Sequence, residues 1–169
     1  MDNYVEQIVD KLPSVKQKLA LFGAIFVTAI GVTMIFFYSF SIGVAVIAVG
    51  AFLIYLAKMY QAMEYEYLFV NGDCDIAAII NKSNRKNTYS FKAGDVTRVL
   101  PYNSLKFQNE LEVNAELSVK DLSSGKRDNR GKCYAFLVNV KGGTLAVVLE
   151  LNEKTIEHVE SFYKNKIEM

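Results

Sequence analysis

Residue types that carry catalysis and metal binding are scarce in this sequence. It has one histidine and two cysteines in 169 residues, whereas a metal centre needs several ligands at set spacings. His158 lies on a predicted helix, and Cys74 and Cys133 lie far apart, in or beside apolar segments. Lys141-Gly142-Gly143 fits a turn better than a phosphate-binding loop. We therefore expect no enzymatic activity, no metal and no cofactor, and two reduced, partly buried cysteines.

A surplus of positive charge is also missing. The chain carries 19 Lys and Arg residues against 18 Asp and Glu residues, which gives a formal net charge of +1. After Met59 the two signs balance at 15 residues each. Because contacts with phosphate groups need a cationic surplus, we do not expect a nucleic acid among the partners.

The most informative absence is that of charge between Lys18 and Lys58. Residues 19–57 contain no Asp, Glu, Lys, Arg or His and are mostly apolar. One helix of this length would be about 58 Å long, roughly twice the thickness of the hydrocarbon core of a membrane. Ser39 and Ser41, which lie among aromatic residues, offer a break near the centre. The predicted transmembrane helical hairpin therefore covers residues 14–60, with spans at about 19–38 and 42–59.

Lysines flank this hairpin, and the turn between its spans carries no charge. Lys16 and Lys18 precede the first span, and Lys58 follows the second. Since Lys and Arg are enriched on the cytoplasmic side of membrane spans, these residues predict a multi-pass protein of the cell membrane with both termini in the cytoplasm. A cleaved signal peptide is not favoured, because the apolar run exceeds the usual length of about 7 to 15 residues and the preceding segment is acidic.

Small residues provide faces along which the two predicted spans can approach each other. Ala20, Ala24 and Thr28 form a ridge on the first span, and Gly43 and Gly50 lie on the second. Such ridges allow close contact either within one chain or between two copies. We favour packing within the chain, because a hairpin must first pack its own helices. The spans contain no ionisable residue, which argues against a channel or transporter.

The first 13 residues are predicted to form an amphipathic helix. Pro13 would end it, and Ser14 can cap the helix that follows. The predicted helix could lie at the membrane interface, dock a partner, or pack against the soluble part of the chain. We favour the last, because acidic residues on its polar face disfavour the membrane surface. Its apolar residues recur at helical spacing: Tyr4, Val5, Ile8, Val9 and Leu12.

Short strands and turns follow the apolar region and predict one soluble domain over residues 64–169. Asn71-Gly72 and Lys141-Gly142-Gly143 are turn sequences, and the second of these joins the clearest hairpin of the chain. Residues 102–114 are predicted to be a loop or to carry a short helix. The predicted strands cover residues 64–69, 75–80, 88–91, 96–100, 116–122, 133–140 and 144–151.

A final helix is predicted after the last strand. Asn152 can cap its first turn, and Lys164 and Lys166 would lie in its last turn, where they complement the helix dipole. Its apolar stripe consists of Ile156, Val159, Phe162 or Tyr163, and Ile167.

The order of a membrane hairpin, about seven short strands and one capping helix resembles the bacterial pleckstrin-homology-like (PH-like) membrane proteins. Three segments carry the resemblance: residues 64–72, residues 75–86 and residues 96–104. The resemblance implies an α+β protein, in which a two-helix transmembrane hairpin leads into a PH-like antiparallel β-barrel or sandwich with a C-terminal capping helix. It implies no reaction, ligand or catalytic residue.

Two groups of basic residues are the candidate ligand contacts. The first lies in a predicted loop, residues 81–87, and the second in a predicted exposed loop, residues 123–132. In PH domains generally, basic loops at the open end of the fold can hold a phosphorylated headgroup; the alternative, which we favour, is solvated turns near an anionic membrane leaflet. The residues are Lys82, Arg85 and Lys86 in the first group, and Lys126, Arg127, Arg130 and Lys132 in the second.

These features together favour a non-catalytic interaction protein anchored in the membrane. The expected partners are the lipid bilayer and either a protein partner or a second copy of the chain, recognised through strand edges and the N-terminal segment. One alternative is a sensor of lipid headgroups or small ligands that uses the basic groups. Another is an accessory subunit of a larger membrane complex.

Overall fold

The computed structural model describes residues 3–114 and 117–168, and these divide into two compact units. We name residues 12–63 and 80–84 the helical unit, and the rest of the described chain the sheet unit. In chain order the elements are β1 (Tyr4–Asp10), α1 (Val15–Phe37), α2 (Phe40–Gln61), β2 (Met63–Val70), β3 (Asp73–Ile80), β4 (Asn84–Phe91), β5 (Val96–Pro101), α3 (Leu105–Val113), β6 (Ser118–Asp121), a 3-10 helix (Arg127–Lys132), β7 (Cys133–Val140), β8 (Gly143–Glu150) and α4 (Glu153–Phe162).

The main elements of the helical unit are α1 and α2, which pack as an antiparallel pair. A Cβ added at Gly43 would lie 2.7 Å from the backbone nitrogen of Ile35, and one at Gly50 would lie 2.9 Å from the Cα of Thr28. Side chains at these positions would hold the helices apart, so the predicted packing of the two spans within the chain is confirmed. Gly31 makes a third close approach of the same kind, against Ile47.

Both helices extend beyond the predicted spans at the ends away from the turn. Ser14 caps α1 through a capping box, in which its hydroxyl accepts from the backbone N–H of Gln17 and its own N–H donates to the Gln17 side chain. At the turn, the N–H groups of Tyr38 and Ser39 both donate to the carbonyl of Met34. Each helix is long and apolar enough to cross a membrane.

The predicted N-terminal helix is wrong, because residues 4–10 form strand β1. Alternate side chains point inward, and Gln7 is one of them: its amide donates to the carbonyl of Glu150 at 2.8 Å and accepts from the N–H of Asn152 at 3.0 Å. Tyr4 and Ile8 belong to the apolar stripe that helical spacing predicts, but they are 67% and 55% exposed. The inward glutamine concealed the alternation that is typical of a strand.

The partner strand of β1 lies far from it in sequence. It pairs with β2 in antiparallel register, from Tyr4 opposite Val70 to Asp10 opposite Glu64. The chain between Asp10 and Glu64, which contains both apolar helices, is therefore the connection of a two-stranded β-hairpin. The N-terminal segment thus packs against the chain's own sheet, as the favoured alternative expected, but as a strand.

The sheet unit contains two four-stranded sheets, in the orders β1-β2-β3-β4 and β5-β7-β8-β6. The sheets are not closed into a barrel, so the predicted barrel is not found, and the ring contacts between the two sheets fit the predicted sandwich. The predicted β7–β8 hairpin is confirmed, with Val140 opposite Gly143 across the turn. β6 is shorter than predicted, because Leu117 and Leu122 are not part of the strand; Glu116 of the predicted strand lies outside the described residues. β6 runs parallel to β8, since the chain reaches it from β5 through α3.

Aromatic side chains form the centre of the sandwich. The ring of Phe136 lies 6.1 Å from that of Phe69, 5.4 Å from that of Phe91 and 5.8 Å from that of Tyr163. The hydroxyls of Tyr67 and Tyr163 reach backbone carbonyls, and burial raises the pKa of both phenols. Both sheets and the C-terminal segment therefore share one core.

The end of the chain differs from the prediction. Asn152 caps α4 as expected, accepting from the N–H of Thr155, but α4 ends at Phe162. Lys164, Lys166 and Ile167 therefore lie beyond the helix. The chain turns after the buried Tyr163, and its last described residues pair with Val99 of the edge strand β5. This tail covers an edge that would otherwise leave backbone groups unpaired.

Candidate binding surfaces

The lysines expected to flank the membrane lie at one end of the helical unit. Lys16 and Lys18 are in the first turns of α1, and Lys58 is in the last turn of α2. The side chain of Gln61 donates to the carbonyl of Gln17 at 3.2 Å, which joins the two helix ends. The three exposed ammonium groups therefore share one end of the antiparallel pair.

The first basic group is not contained in a loop. Lys82 lies in a turn of the helical unit with a φ of 56°, but Arg85 and Lys86 lie at the start of strand β4. The predicted loop over residues 81–87 is therefore too long, because polar side chains are compatible with an exposed edge strand. The guanidinium of Arg85 pairs with the carboxylate of Glu66 on β2 at 2.7 Å, which neutralises one of the three charges.

The second basic group surrounds the 3-10 helix. Arg130 donates to the carboxylate of Asp121 at 2.9 Å, and its guanidinium lies 4.7 Å from the ring centre of Tyr102. Burial alone would raise the pKa of Asp121, but hydrogen bonds from Ser123 and Arg130 lower it below its usual value. Arg130 therefore has a structural role. Lys126, Arg127 and Lys132 are exposed and form no ion pair within residues 3–114 and 117–168.

The segment that carries this second group is only partly the exposed loop that was predicted. Ser123 and Ser124 are buried. The carboxylate of Glu150 accepts hydrogen bonds from the N–H of Ser124 and from the side chain of Asn129, at 2.7 Å for the latter. A buried acceptor thus fixes the start of the segment, and no hydrogen bond or ion pair between the described residues links the two basic groups.

Histidine and cysteine lie in packing positions. His158 is 6% exposed, with its ring 4.7 Å from that of Phe162 and 6.0 Å from that of Phe69, and burial lowers the pKa of its imidazole. Cys74 and Cys133 are free and buried, and burial raises the pKa of both thiols, which keeps them protonated and weakly nucleophilic. Within the described parts of the chain, no cluster of ligands suited to a metal ion is present.

Sequence reasoning missed a surface on the outer face of β1, β2 and β3. Six carboxylates and no Lys or Arg lie on these strands. The alternation of inward and outward residues places all six on the outer face, beside the exposed Tyr4 and Ile8. The signal was present as acidic residues two or four apart, but it could be recognised only with β1 as a strand. The carboxylates belong to Glu6, Asp10, Glu64, Glu66, Asp73 and Asp75.

A shallow depression of about 320 Å³ lies on the same outer face. Leu68, Asp75 and Ala77 line it, together with Arg85 and Asn87 from β4. Asp75 is exposed, whereas Ala77 is buried beneath its neighbours. The outer face is thus contoured, with an apolar floor beside a carboxylate.

Comparison with known proteins adds one finding to this geometry. The family model described as "Bacterial PH-like domain (DUF6106)" matches residues 1–169. The chain belongs to this family. The match covers the two apolar helices as well as the sheets, so the family model extends over both units of this PH-like protein. No curated protein and no solved structure matches the chain.

Proposed function

We propose that this chain is a two-span membrane protein whose PH-like sandwich acts as a non-catalytic module that binds a protein partner or a second copy. The observation that carries the proposal is the pairing of β1 with β2 around the two apolar helices. Asp10 and Glu64 are directly opposite each other, so the chain leaves and re-enters the sheet at one place. An even number of crossings satisfies this constraint, and a single crossing does not.

The flanking lysines support a cytoplasmic sandwich. Lys16, Lys18 and Lys58 lie at the end of the helix pair from which the chain continues into β1 and β2, and this end is the one expected in the cytoplasm. The buried thiols and the buried His158 support a binding role over a catalytic one, since none of them offers a reactive group to a substrate.

Reporter fusions and cross-linking test this proposal in the full chain. A reporter that is active only in the cytoplasm should be active when it is fused after Glu168. A reporter that is active only on the outer side of the membrane should be active when it is inserted at Ser39. Cross-linking in intact cells, followed by purification in mild detergent and mass spectrometry, should yield a protein partner or a homo-oligomer. A sandwich on the outer side, or a monomer without any cross-linked protein, would contradict the proposal.

A lipid-headgroup sensor is the second candidate, favoured by the exposed and unpaired Lys126, Arg127 and Lys132. The K126A/R127A/K132A variant should then retain less anionic lipid after purification than the wild type. The matched control is K92A/K141A/K164A, which removes the same charge elsewhere. Equal lipid composition in both variants would exclude the sensor. An accessory subunit would instead co-purify in fixed proportion with several other membrane proteins.

A further inference from the structure

The outer face of the first sheet carries an apolar track. Directly opposite residues of an antiparallel pair share a face, which places Tyr4 beside Val70 and Glu6 beside Leu68. Ile8 is the diagonal neighbour of Leu68, so the four apolar side chains form a continuous line. Tyr4, Ile8 and Val70 are 67%, 55% and 36% exposed. Exposed apolar groups in a contiguous line are typical of contact surfaces.

The charges that β1, β2 and β3 place beside this track are all negative, and most of them form no ion pair. Of the six carboxylates, that of Glu66 pairs with Arg85 and that of Asp73 accepts from the N–H of Ala93 at 2.8 Å. The other four form no ion pair within the part of the chain that the structure describes, and no cation from β1, β2 or β3 compensates them. They are Glu6, Asp10, Glu64 and Asp75.

We propose that this outer face docks a lysine- or arginine-rich segment with apolar side chains, contributed by a neighbouring membrane protein. The carboxylates would pair with the cationic groups, and Tyr4 and Ile8 would contact the apolar ones. Complementarity of charge and of apolar surface both point to this occupant. An anionic lipid headgroup or a second acidic face of the same kind would be repelled.

The source of the segment follows from the location of the module. This step rests on the proposed function, which puts the sandwich in the cytoplasm and links it to two membrane spans. Lys and Arg are enriched in the cytoplasmic segments next to membrane spans, and those segments adjoin apolar residues. A juxtamembrane segment of another integral protein therefore offers the required chemistry on the same side of the membrane.

Peptide binding to the full chain tests the inference. The protein is placed in phosphatidylcholine nanodiscs, and a fluorescein-labelled peptide of 12 alternating Lys and Leu residues is titrated by anisotropy, with empty nanodiscs as background. The E6Q/E64Q/D75N variant should bind about tenfold more weakly than the wild type, because three charge contacts on the outer face are lost. The D95N/E112Q/D128N variant changes the net charge equally at exposed positions away from β1, β2 and β3, and it should bind as the wild type does.

Two further arms separate the apolar and electrostatic contributions. I8T should weaken binding severalfold, whereas V119T, at a position 46% exposed on β6, should not. Raising the salt concentration should weaken binding to the wild type more than to E6Q/E64Q/D75N. A peptide of alternating Glu and Leu should bind only at background level.

The outcomes distinguish this inference from the proposed function. Equal affinity of the wild type and E6Q/E64Q/D75N, or equal binding of the Glu-Leu peptide, would overturn the acidic docking face. A cross-linked partner or homo-oligomer that the same variant leaves unchanged would also overturn it, while the proposed function would stand. If cross-linking finds neither a partner nor a homo-oligomer, the proposed function fails, and any peptide binding no longer identifies a membrane partner.

Discussion

The two units of this protein bury their surfaces in opposite ways. In α1 only Ala24 and Gly31 are buried, and most of the large side chains are exposed. In the sandwich the largest side chains, such as those of Tyr67, Phe69 and Phe136, are fully buried. The stability of the helical unit therefore depends on apolar surroundings and on close contact between the helix backbones. The sheet unit has a core that the hydrophobic effect stabilises in water. A substitution that disrupts the packing of one unit should therefore lower the stability of that unit and not of the other.

The largest expected effect is the loss of an aromatic ring from the sandwich core. F136A should lower the free energy of unfolding of the sheet unit by about 3–5 kcal/mol, because it removes a ring that contacts three other aromatic residues. Hydrogen exchange of β7 and β8 in detergent measures it. V119A, at an exposed position, is the control. Loss of protection in α1 and α2 to the same extent would show that the two units do not differ as described.

A smaller effect should follow from widening the contact between the helices. G50L should destabilise the helix pair by about 1–3 kcal/mol, because a side chain at this position meets the backbone of Thr28. G23L is the matched control, since a Cβ there has nothing within 4 Å. Spin labels at residues 16 and 58 report the distance between the helix ends. An unchanged distance distribution in G50L would contradict the role given to the glycine.

A still smaller effect should appear as the pH falls below about 6.5. Burial lowers the pKa of His158 from its usual 6.5, so the unfolded chain binds this proton more tightly and protonation favours unfolding. The stability due to neutral His158 is present above pH 6.5 and is lost as the pH falls toward the lowered pKa. Thermal unfolding between pH 5 and 8 measures this loss, and H158Q should show a weaker dependence. Parallel curves for the two proteins would refute it.

The smallest effect should lie at still lower pH and at the C-terminal tail. Hydrogen bonds, chiefly from Arg98 and secondly from Lys106, hold the pKa of Glu168 at about 2, against 4.5 in an unfolded chain. The contribution of this carboxylate is present above pH 4.5 and is lost as the pH falls from 4.5 toward 2. Fluorescence of a label on the tail, compared between wild type and E168Q, measures it. Tail release in the wild type at neutral pH would contradict the pairing with β5.

Features encoded by neighbouring residues were predictable from the sequence. The charge-free run from Leu19 to Ala57 identified the helix pair, and Lys141-Gly142-Gly143 identified the β7–β8 hairpin. Ser14 and Asn152 marked helix starts, because a cap acts within three residues. In each case the physical cause and its effect lie within one local segment, so a single sequence contains the information.

Features that depend on distant partners were not predictable in the same way. β1 pairs with a strand on the far side of two helices, and its inward Gln7 is explained only by Glu150 and Asn152. The parallel direction of β6 likewise depends on the path of the chain through α3. The binding surfaces followed the same rule: the basic residues were visible as runs, but the pairing of Arg85 with Glu66 was not. The acidic face required the correct register of three strands.

The position of β1 has a consequence for biosynthesis. A ribosome delivers this strand first, yet its partner β2 follows only after the residues between Asp10 and Glu64. At about 5–20 residues per second, roughly 3 to 11 s pass before the two can meet. During that interval β1 has no partner strand, while the two apolar segments are synthesised. The pairing of β1 therefore follows the synthesis of both apolar helices, and a chain in which β1 and β2 have paired already contains the complete helix pair.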